Sequence, residues 1–261
     1  MSSLRRLVLT ALPKVALSRL CGLVTRVPLP RPVRRSLFRW FAKRYGADLD
    51  QIDGPVDQFR SLAAFFRRPL RAGARVVADS PLVWPCDGRI VTCGPLQGDR
   101  VPQVKGRDYS LAELLADADL AATLAGGSQA TIYLAPGDYH RVHAPFAGRV
   151  ERVVPLAGTL FPVNPPAVQC IDRLFVRNSR HVFHCRLADG APAAVVLVGA
   201  YNVGDTAITI EHGAIGCGSE LGQFGFGSTV VVVLGPGPVG LPEVAPEQRV
   251  WMGQAIAAAT H

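Results

Sequence analysis

Read for its alternation of apolar and polar positions, the chain divides into a helical beginning and a long run of short strands. Leu4, Leu7, Val8, Leu9, Leu12, Val15, Leu17, Leu20, Leu23 and Val24, then Leu37, Phe38, Trp40 and Phe41, stand between charges in a helical pattern. Phe59, Leu62, Ala63 and Phe66 keep helical spacing too, which predicts a helix capped by Asp57 and stopped at Pro69. In "SLAELLADA", Ser110 and Glu113 make a capping box ahead of Leu111, Leu114 and Leu115. The remaining periodic stretches predict strands over 131–135, 149–154, 193–201, 206–211 and 229–234.

Composition supports that division. The 26 Gly and 21 Pro are scattered among Val-rich and Ile-rich runs, as in chains of many short strands joined by turns. With 49% hydrophobic and 18% charged residues, 261 residues suffice for one large folded domain with an appendage. The expected fold is α+β and mainly β, with barrel-like antiparallel sheets and a helical, basic N-terminal segment. "PCDGRI" (85–90) and "PFAGRV" (145–150) echo one another and read as two equivalent turn-to-strand corners. Their third positions differ, Asp87 against Ala147, and a turn alone does not require the acid.

Charge sharpens the picture of the beginning. The net charge is +8, yet residues 1–47 hold eleven Lys or Arg and no Asp or Glu, so the remainder carries an acidic excess. Residues 1–50 are therefore expected to form a basic amphipathic segment that docks on an anionic membrane surface, each basic residue contributing about 1 kcal/mol. Pro13, Lys14 and Arg19 interrupt any span-length apolar run. A transit peptide, or a basic face packed on the body or meeting nucleic acid, are the weaker alternatives. Residues 51–261 are expected to form the catalytic domain. The six cysteines include no C-x-x-C pair and are expected to be reduced and buried.

Three places could carry chemistry. Asp87 lies in an Asp-Gly turn, and "GDYHRVHAP" brings His140 and His143 close to Asp138 and Arg141. In "GFGSTVVVVL", Gly227 lacks the Cβ that would shield its carbonyl, and the β-branched run 229–233 would hold one side of the Gly227–Ser228 bond rigid. From the residues alone each has a bland reading: a turn, surface histidines, and a bulge or hairpin feeding a buried strand. The nucleophile elbow G-x-S-x-G fails at Phe226 and Val230. A triad of Asp87, His143 and Ser228 acting on an external ester, a serine hydrolase, stays open because triads follow geometry rather than chain order. His181 and His184 are three apart in a stretch that reads as strand, hence on opposite faces, and no metal is expected. No phosphate-binding or dinucleotide glycine loop is present to imply a diffusible cofactor.

Taken together, "CDGRI", "VKGRDYSLAELL", "YLAPGDYHRVHAPFAG", "GTLFPVN", "VLVGAYNVG" and "GSELGQFGFGSTVVVVL" resemble the prokaryotic-type, pyruvoyl-dependent phosphatidylserine decarboxylases over roughly residues 55–255. The family motif usually reads Leu-Gly-Ser-Thr, and Phe226 stands where that Leu would be.

The resemblance implies that His143, paired with Asp87 in a charge relay, takes the proton of Ser228 for autocatalytic serinolysis at Gly227–Ser228. The products are a large chain (1–227) and a small chain (228–261) held together as a heterodimer. Ser228 becomes a covalent pyruvoyl cofactor, which forms a Schiff base with phosphatidylserine and allows its decarboxylation to phosphatidylethanolamine. His140 is implied to assist that decarboxylation. Phosphatidylserine and an anionic membrane are the implied partners, with no nucleic acid, and the implied location is the cytoplasmic face of the cell membrane as a peripheral protein. A homo-oligomer is left open.

Overall fold

The computed structural model describes residues 22–104, 107–200, 206–225 and 228–257. Among them, six α-helices are assigned: α1 (Arg31–Tyr45), α2 (Leu62–Phe66), α3 (Leu111–Leu115), α4 (Ala118–Leu124), α5 (Pro165–Cys170) and α6 (Leu174–Arg177). The strands are β1 (Gly88–Pro95), β2 (Arg100–Pro102), β3 (Asp108–Ser110), β4 (Ser128–Leu134), β5 (Arg141–His143), β6 (Gly148–Leu156) and β7 (Arg180–Leu187). They continue with β8 (Pro192–Gly199), β9 (Ala207–Ile208), β10 (Gly213–Ile215), β11 (Glu220–Gln223), β12 (Ser228–Leu234) and β13 (Arg249–Val250). The fold is α+β and mainly sheet, as expected.

One eight-stranded antiparallel sheet, in the order β10-β6-β7-β8-β12-β4-β1-β13, carries the structure, and a three-stranded sheet β5-β11-β9 accompanies it. The large sheet does not close into a barrel; β10 and β13 remain its edges. β12 lies near its middle and pairs along its whole length with β4 and β8.

Alternation along β12 explains why its sequence is a continuous apolar run. Val230, Val232 and Leu234 face a core shared with Ile132, Leu197, Val142, Leu221 and Phe224. Val231 and Val233 face a second core against Leu111, Leu114, Leu124, Leu174 and Phe175. A strand covered on both sides has no polar face to show, so both residue parities are hydrophobic. Burying each such side chain contributes about 1.5–3 kcal/mol, which anchors this strand firmly.

The echoed corners do start two strands, β1 at Gly88 and β6 at Gly148. At both, a Cβ would collide with the neighbouring strand: 2.6 Å from the Tyr133 carbonyl oxygen at Gly88 and 2.0 Å from that of Arg186 at Gly148. Close backbone approach requires glycine there.

Several expectations are corrected. The capping box of Ser110 and Glu113 is present, but α3 ends after one turn at Ala116, whose φ is 52°. α2 is capped by Ser61, which accepts from Ala64 N–H, because Asp57 sits in a separate 3-10 turn (Val56–Gln58) that Phe59 terminates. The strand expected over 206–211 shrinks to β9. Of the described cysteines, all free, Cys86 and Cys185 are buried while Cys93, Cys170 and Cys217 are only partly so.

The N-terminal segment packs on the body. Phe38 and Phe41 of α1 join Ile52, Phe59, Phe65 and Phe66 in one aromatic cluster, with Phe38 stacked on Phe65 at 4.5 Å. The outer side keeps Leu23, Val24, Val27, Val33 and Trp40 exposed beside Arg31, Arg35, Arg39 and Lys43. Residues 1–21 of the expected docking segment lie outside the described residues. Among the described residues, no helix is long and apolar enough to cross a membrane.

Candidate active site

Two stretches of chain that sequence reasoning singled out run side by side. β4 leads through residues 135–140 into β5, and β11 leads through residues 224–227 into β12. They are paired at both ends: Gln223 with Arg141 in the small sheet, and Ser228 with Leu134 in the large one. Between those ladders, Phe224 N–H donates to the His140 carbonyl at 2.9 Å. The approach to Ser228 is thus tethered on one side by His140 and on the other by the β12 ladder. Phe226 and Gly227, and with them the expected scissile bond, lie outside the described residues.

Ser228 is fully buried, and among the described residues its Oγ has no hydrogen-bond partner. A buried hydroxyl without a partner forfeits roughly 1–3 kcal/mol.

His143 is 8% exposed, and its tautomer is set by the main chain. Nδ1 lies 2.8 Å from the Gly218 carbonyl, which can only accept, so Nδ1 carries the proton and Nε2 the lone pair. Tyr139 Oη stands 3.2 Å from that Nε2. Burial lowers the His143 pKa, against the Gly218 carbonyl and the Glu220 charge, which raise it. His140 follows the same rule: Nδ1 faces the Asp138 carbonyl at 2.9 Å, and Nε2 is buried with no partner among the described residues. Its ring packs against Phe66 at 4.0 Å, and burial lowers its pKa to about 3. Both imidazoles are therefore neutral near pH 7, with Nε2 as the basic nitrogen of each: unpartnered in His140 among the described residues, and facing the Tyr139 hydroxyl in His143.

Asp87 is placed differently from the expected relay. It is 1% exposed, and its carboxylate accepts from Arg75 Nε at 2.8 Å, from Arg75 Nη2 and from Met252 N–H at 2.9 Å. No hydrogen bond joins that carboxylate to His143, or His143 to Ser228, among the described residues. What ties the Asp87 corner to His143 is backbone: His143 N–H donates to the Pro85 carbonyl at 2.8 Å. Arg75 in turn lies over the Trp251 ring at 4.8 Å, and Arg249, bound to Asp138 at 2.6 Å, lies over the same ring at 4.5 Å.

His181 and His184 stand apart on β7, where His184 Nδ1 accepts from Arg152 at 3.3 Å. Among the described residues no group of three His, Cys, Asp or Glu side chains is gathered to hold a metal.

Comparison with known proteins decides the family. The family model described as phosphatidylserine decarboxylase matches residues 62–258. A phosphatidylserine decarboxylase proenzyme of Anaeromyxobacter sp. (strain K) is 41% identical, covering 96% of this chain and 96% of that one. Proenzymes of the same name from Chromobacterium violaceum and Variovorax paradoxus are 39% and 38% identical, over 94% of this chain in both cases. The chain belongs to the phosphatidylserine decarboxylase family.

The phosphatidylserine decarboxylase match runs from the first residue of α2 to beyond β13, and so takes in Asp87, His140, His143 and Ser228. Sequence reasoning missed Tyr139, Gly218, Arg68 and Arg75. Tyr139 lay inside the quoted motif and had a signal, since a buried tyrosine next to two histidines needs a partner for its hydroxyl. Gly218 acts through its carbonyl, which no residue pattern announces.

Proposed function

We propose that this protein is a carboxy-lyase that converts phosphatidylserine to phosphatidylethanolamine, using a pyruvoyl group that it makes from its own Ser228. The observation that carries this reading is the buried, partnerless Ser228 Oγ at the head of β12, in a chain of this family. In the self-cutting step, Ser228 Oγ attacks the Gly227 carbonyl carbon and the peptide shifts to an ester. Loss of the Ser228 Cα proton expels the Gly227 carboxylate and leaves a dehydroalanine. Water then converts that residue to a pyruvoyl group and releases ammonia.

The chain's own groups have distinct tasks in this scheme. His143 accepts the Ser228 hydroxyl proton at Nε2, the nitrogen where the Tyr139 hydroxyl is already bound. Gly218 fixes the tautomer. Asp87 contributes its negative charge near the imidazole, which favours the protonated form as the proton arrives. The pyruvoyl carbonyl would supply the electron sink that no side chain offers for losing CO2 from an amino acid. His140, neutral and buried, would take up and return a proton at the substrate's Cα.

A hydrolase acting on an external ester is disfavoured by the family. The matched family model and the similar curated proteins carry the name of a decarboxylase, and the proenzymes' name fits a serine that acts first on its own chain rather than on an external ester.

After cutting, β12 and β13 belong to the small chain and yet remain paired with β4, β8 and β1 of the large one. Separation would open the sheet at its middle, which supports a lasting heterodimer. The exposed apolar residues of 23–40, set among arginines, support docking on an anionic leaflet at the cytoplasmic face of the cell membrane. The test is direct: purified protein given phosphatidylserine labelled at the serine carboxyl should release labelled CO2 and leave phosphatidylethanolamine. Release of free serine or fatty acid instead would favour the hydrolase.

A further inference from the structure

Arg68, just past the end of α2, is 3% exposed and incompletely matched. Its Nη2 donates to the carbonyls of Gly137 at 2.7 Å and Asp138 at 3.1 Å. Among the described residues Nε and Nη1 are buried with no hydrogen-bond partner, leaving the donor of one and both donors of the other unused. Burial lowers the Arg68 pKa to about 10, so the group keeps its charge near neutrality. The side chain leans on the Phe65 ring, 5.3 Å from its centroid.

A buried guanidinium is ordinarily matched by a carboxylate, because an uncompensated charge in a low-dielectric interior is costly. Here the nearby carboxylates are committed elsewhere. Asp138 holds Arg249 at 2.6 Å and Ala135 N–H at 2.7 Å, and Asp87 holds Arg75 and Met252 N–H. The position of the unmatched cation is informative as well. The Asp138 carbonyl that receives Arg68 Nη2 also receives His140 Nδ1, so guanidinium and imidazole share one acceptor. Arg68 therefore stands in the first layer around the residue assigned to the lipid reaction.

We propose that Arg68 binds the phosphodiester of the lipid headgroup, an inference that rests on phosphatidylserine being the substrate. That substrate offers two anions, and their fates decide between them. Its carboxylate must leave as neutral CO2, so a guanidinium bound to it would stabilise the ground state over the transition state and oppose the reaction. The phosphodiester keeps its charge from binding to product release. A cation on it adds binding in every state, which appears in KM and not in kcat.

The test compares wild-type protein with Arg68→Met and Arg68→Lys, using short-chain phosphatidylserine as substrate and sn-glycerol 3-phosphate or L-serine as competitors. Both variants should cut themselves. KM should rise about ten- to a hundred-fold in Arg68→Met, the loss of a charge-assisted hydrogen-bond set, while kcat stays within about threefold. Glycerol 3-phosphate should inhibit the wild type and lose that effect in Arg68→Met, and serine should inhibit both alike. Arg68→Lys keeps a charge without the planar donor set, and its KM should also rise; if the Met variant does not cut itself, this variant decides. An unchanged KM, a fall in kcat alone, or loss of serine rather than glycerol 3-phosphate inhibition would overturn the assignment. Wild-type protein that releases no CO2 would instead remove the parent reading, and Arg68-dependent calorimetric binding of glycerol 3-phosphate would still be measurable.

Discussion

Tyr139 occupies the free nitrogen of His143: its hydroxyl lies 3.2 Å from Nε2, and the two rings stack with centroids 5.7 Å apart. Since Nδ1 is committed to Gly218, Nε2 is the nitrogen left to receive a proton from Ser228, and Tyr139 already donates to it. In the proposed scheme the hydroxyl passes its proton to Nε2 while taking one from the serine, which requires Ser228 Oγ, unpartnered among the described residues, to come within reach of it. Burial raises its pKa to about 12, so it is a neutral donor at working pH. Tyr139→Phe should slow self-cutting about a hundred-fold, as removal of a proton-transfer group does, without unfolding the chain. Conversion of precursor followed on a gel measures it, and a rate equal to or above that of the wild type contradicts the relay.

His143→Ala should be more severe, because it removes the acceptor itself. Self-cutting should fall by at least about a hundred-fold. The Gly218 carbonyl offers no substitute base, since it can accept a hydrogen bond but not retain a proton. Normal processing of His143→Ala, followed by mass over days, would remove His143 from the step.

Asp87→Asn should act on stability and chemistry together. Arg75 would lose its counter-ion in a pair whose side chains are only 11% and 1% exposed, and breaking such a pair costs about 3 kcal/mol. Adding Arg75→Met removes the stranded charge, so the double variant should regain stability in urea without regaining the cutting rate. Recovery of both would make Asp87 a purely structural residue.

The buried histidines predict an acid limb in stability. The folded pKa of His140, about 3, lies below its ordinary 6.5, so between those values the unfolded chain binds a proton that the folded chain refuses. Unfolding is then favoured as pH falls from about 6.5 towards 3, by about 1.4 kcal/mol per pH unit from this residue, with no contribution above that window. His143, also shifted down, adds in the same direction. His140→Gln should flatten the limb in urea titrations at pH 4 to 6; an unchanged slope would contradict the burial argument.

Much of this was legible in the sequence for physical reasons. The β-branched run 229–233 announced a rigid strand and the echoed corners announced two turn-to-strand junctions, while the cover on both faces of that strand and the close approach at Gly88 and Gly148 depend on neighbours distant in sequence. Asp87 drew notice because a turn needs no acid where Ala147 serves. What stayed hidden depends on who reaches whom. Arg75 takes the carboxylate that an Asp-His-Ser pattern assigns to histidine, and it comes from a loop with no periodicity. Gly218 fixes the His143 tautomer through a main-chain atom that every residue possesses. Ser61 outcompeted Asp57 as the α2 cap because the preceding 3-10 turn shifts the helix start, an effect settled by tertiary packing.

The central claim is that the backbone breaks at one place without help. Intact-mass spectrometry of the purified 27.9 kDa chain tests it. The account predicts two species, residues 1–227 and a light chain of residues 228–261 whose first residue carries a ketone in place of an amine, and in Ser228→Ala a single uncut chain. A catalytically active wild-type protein of undivided mass, or cutting in Ser228→Ala, would contradict it.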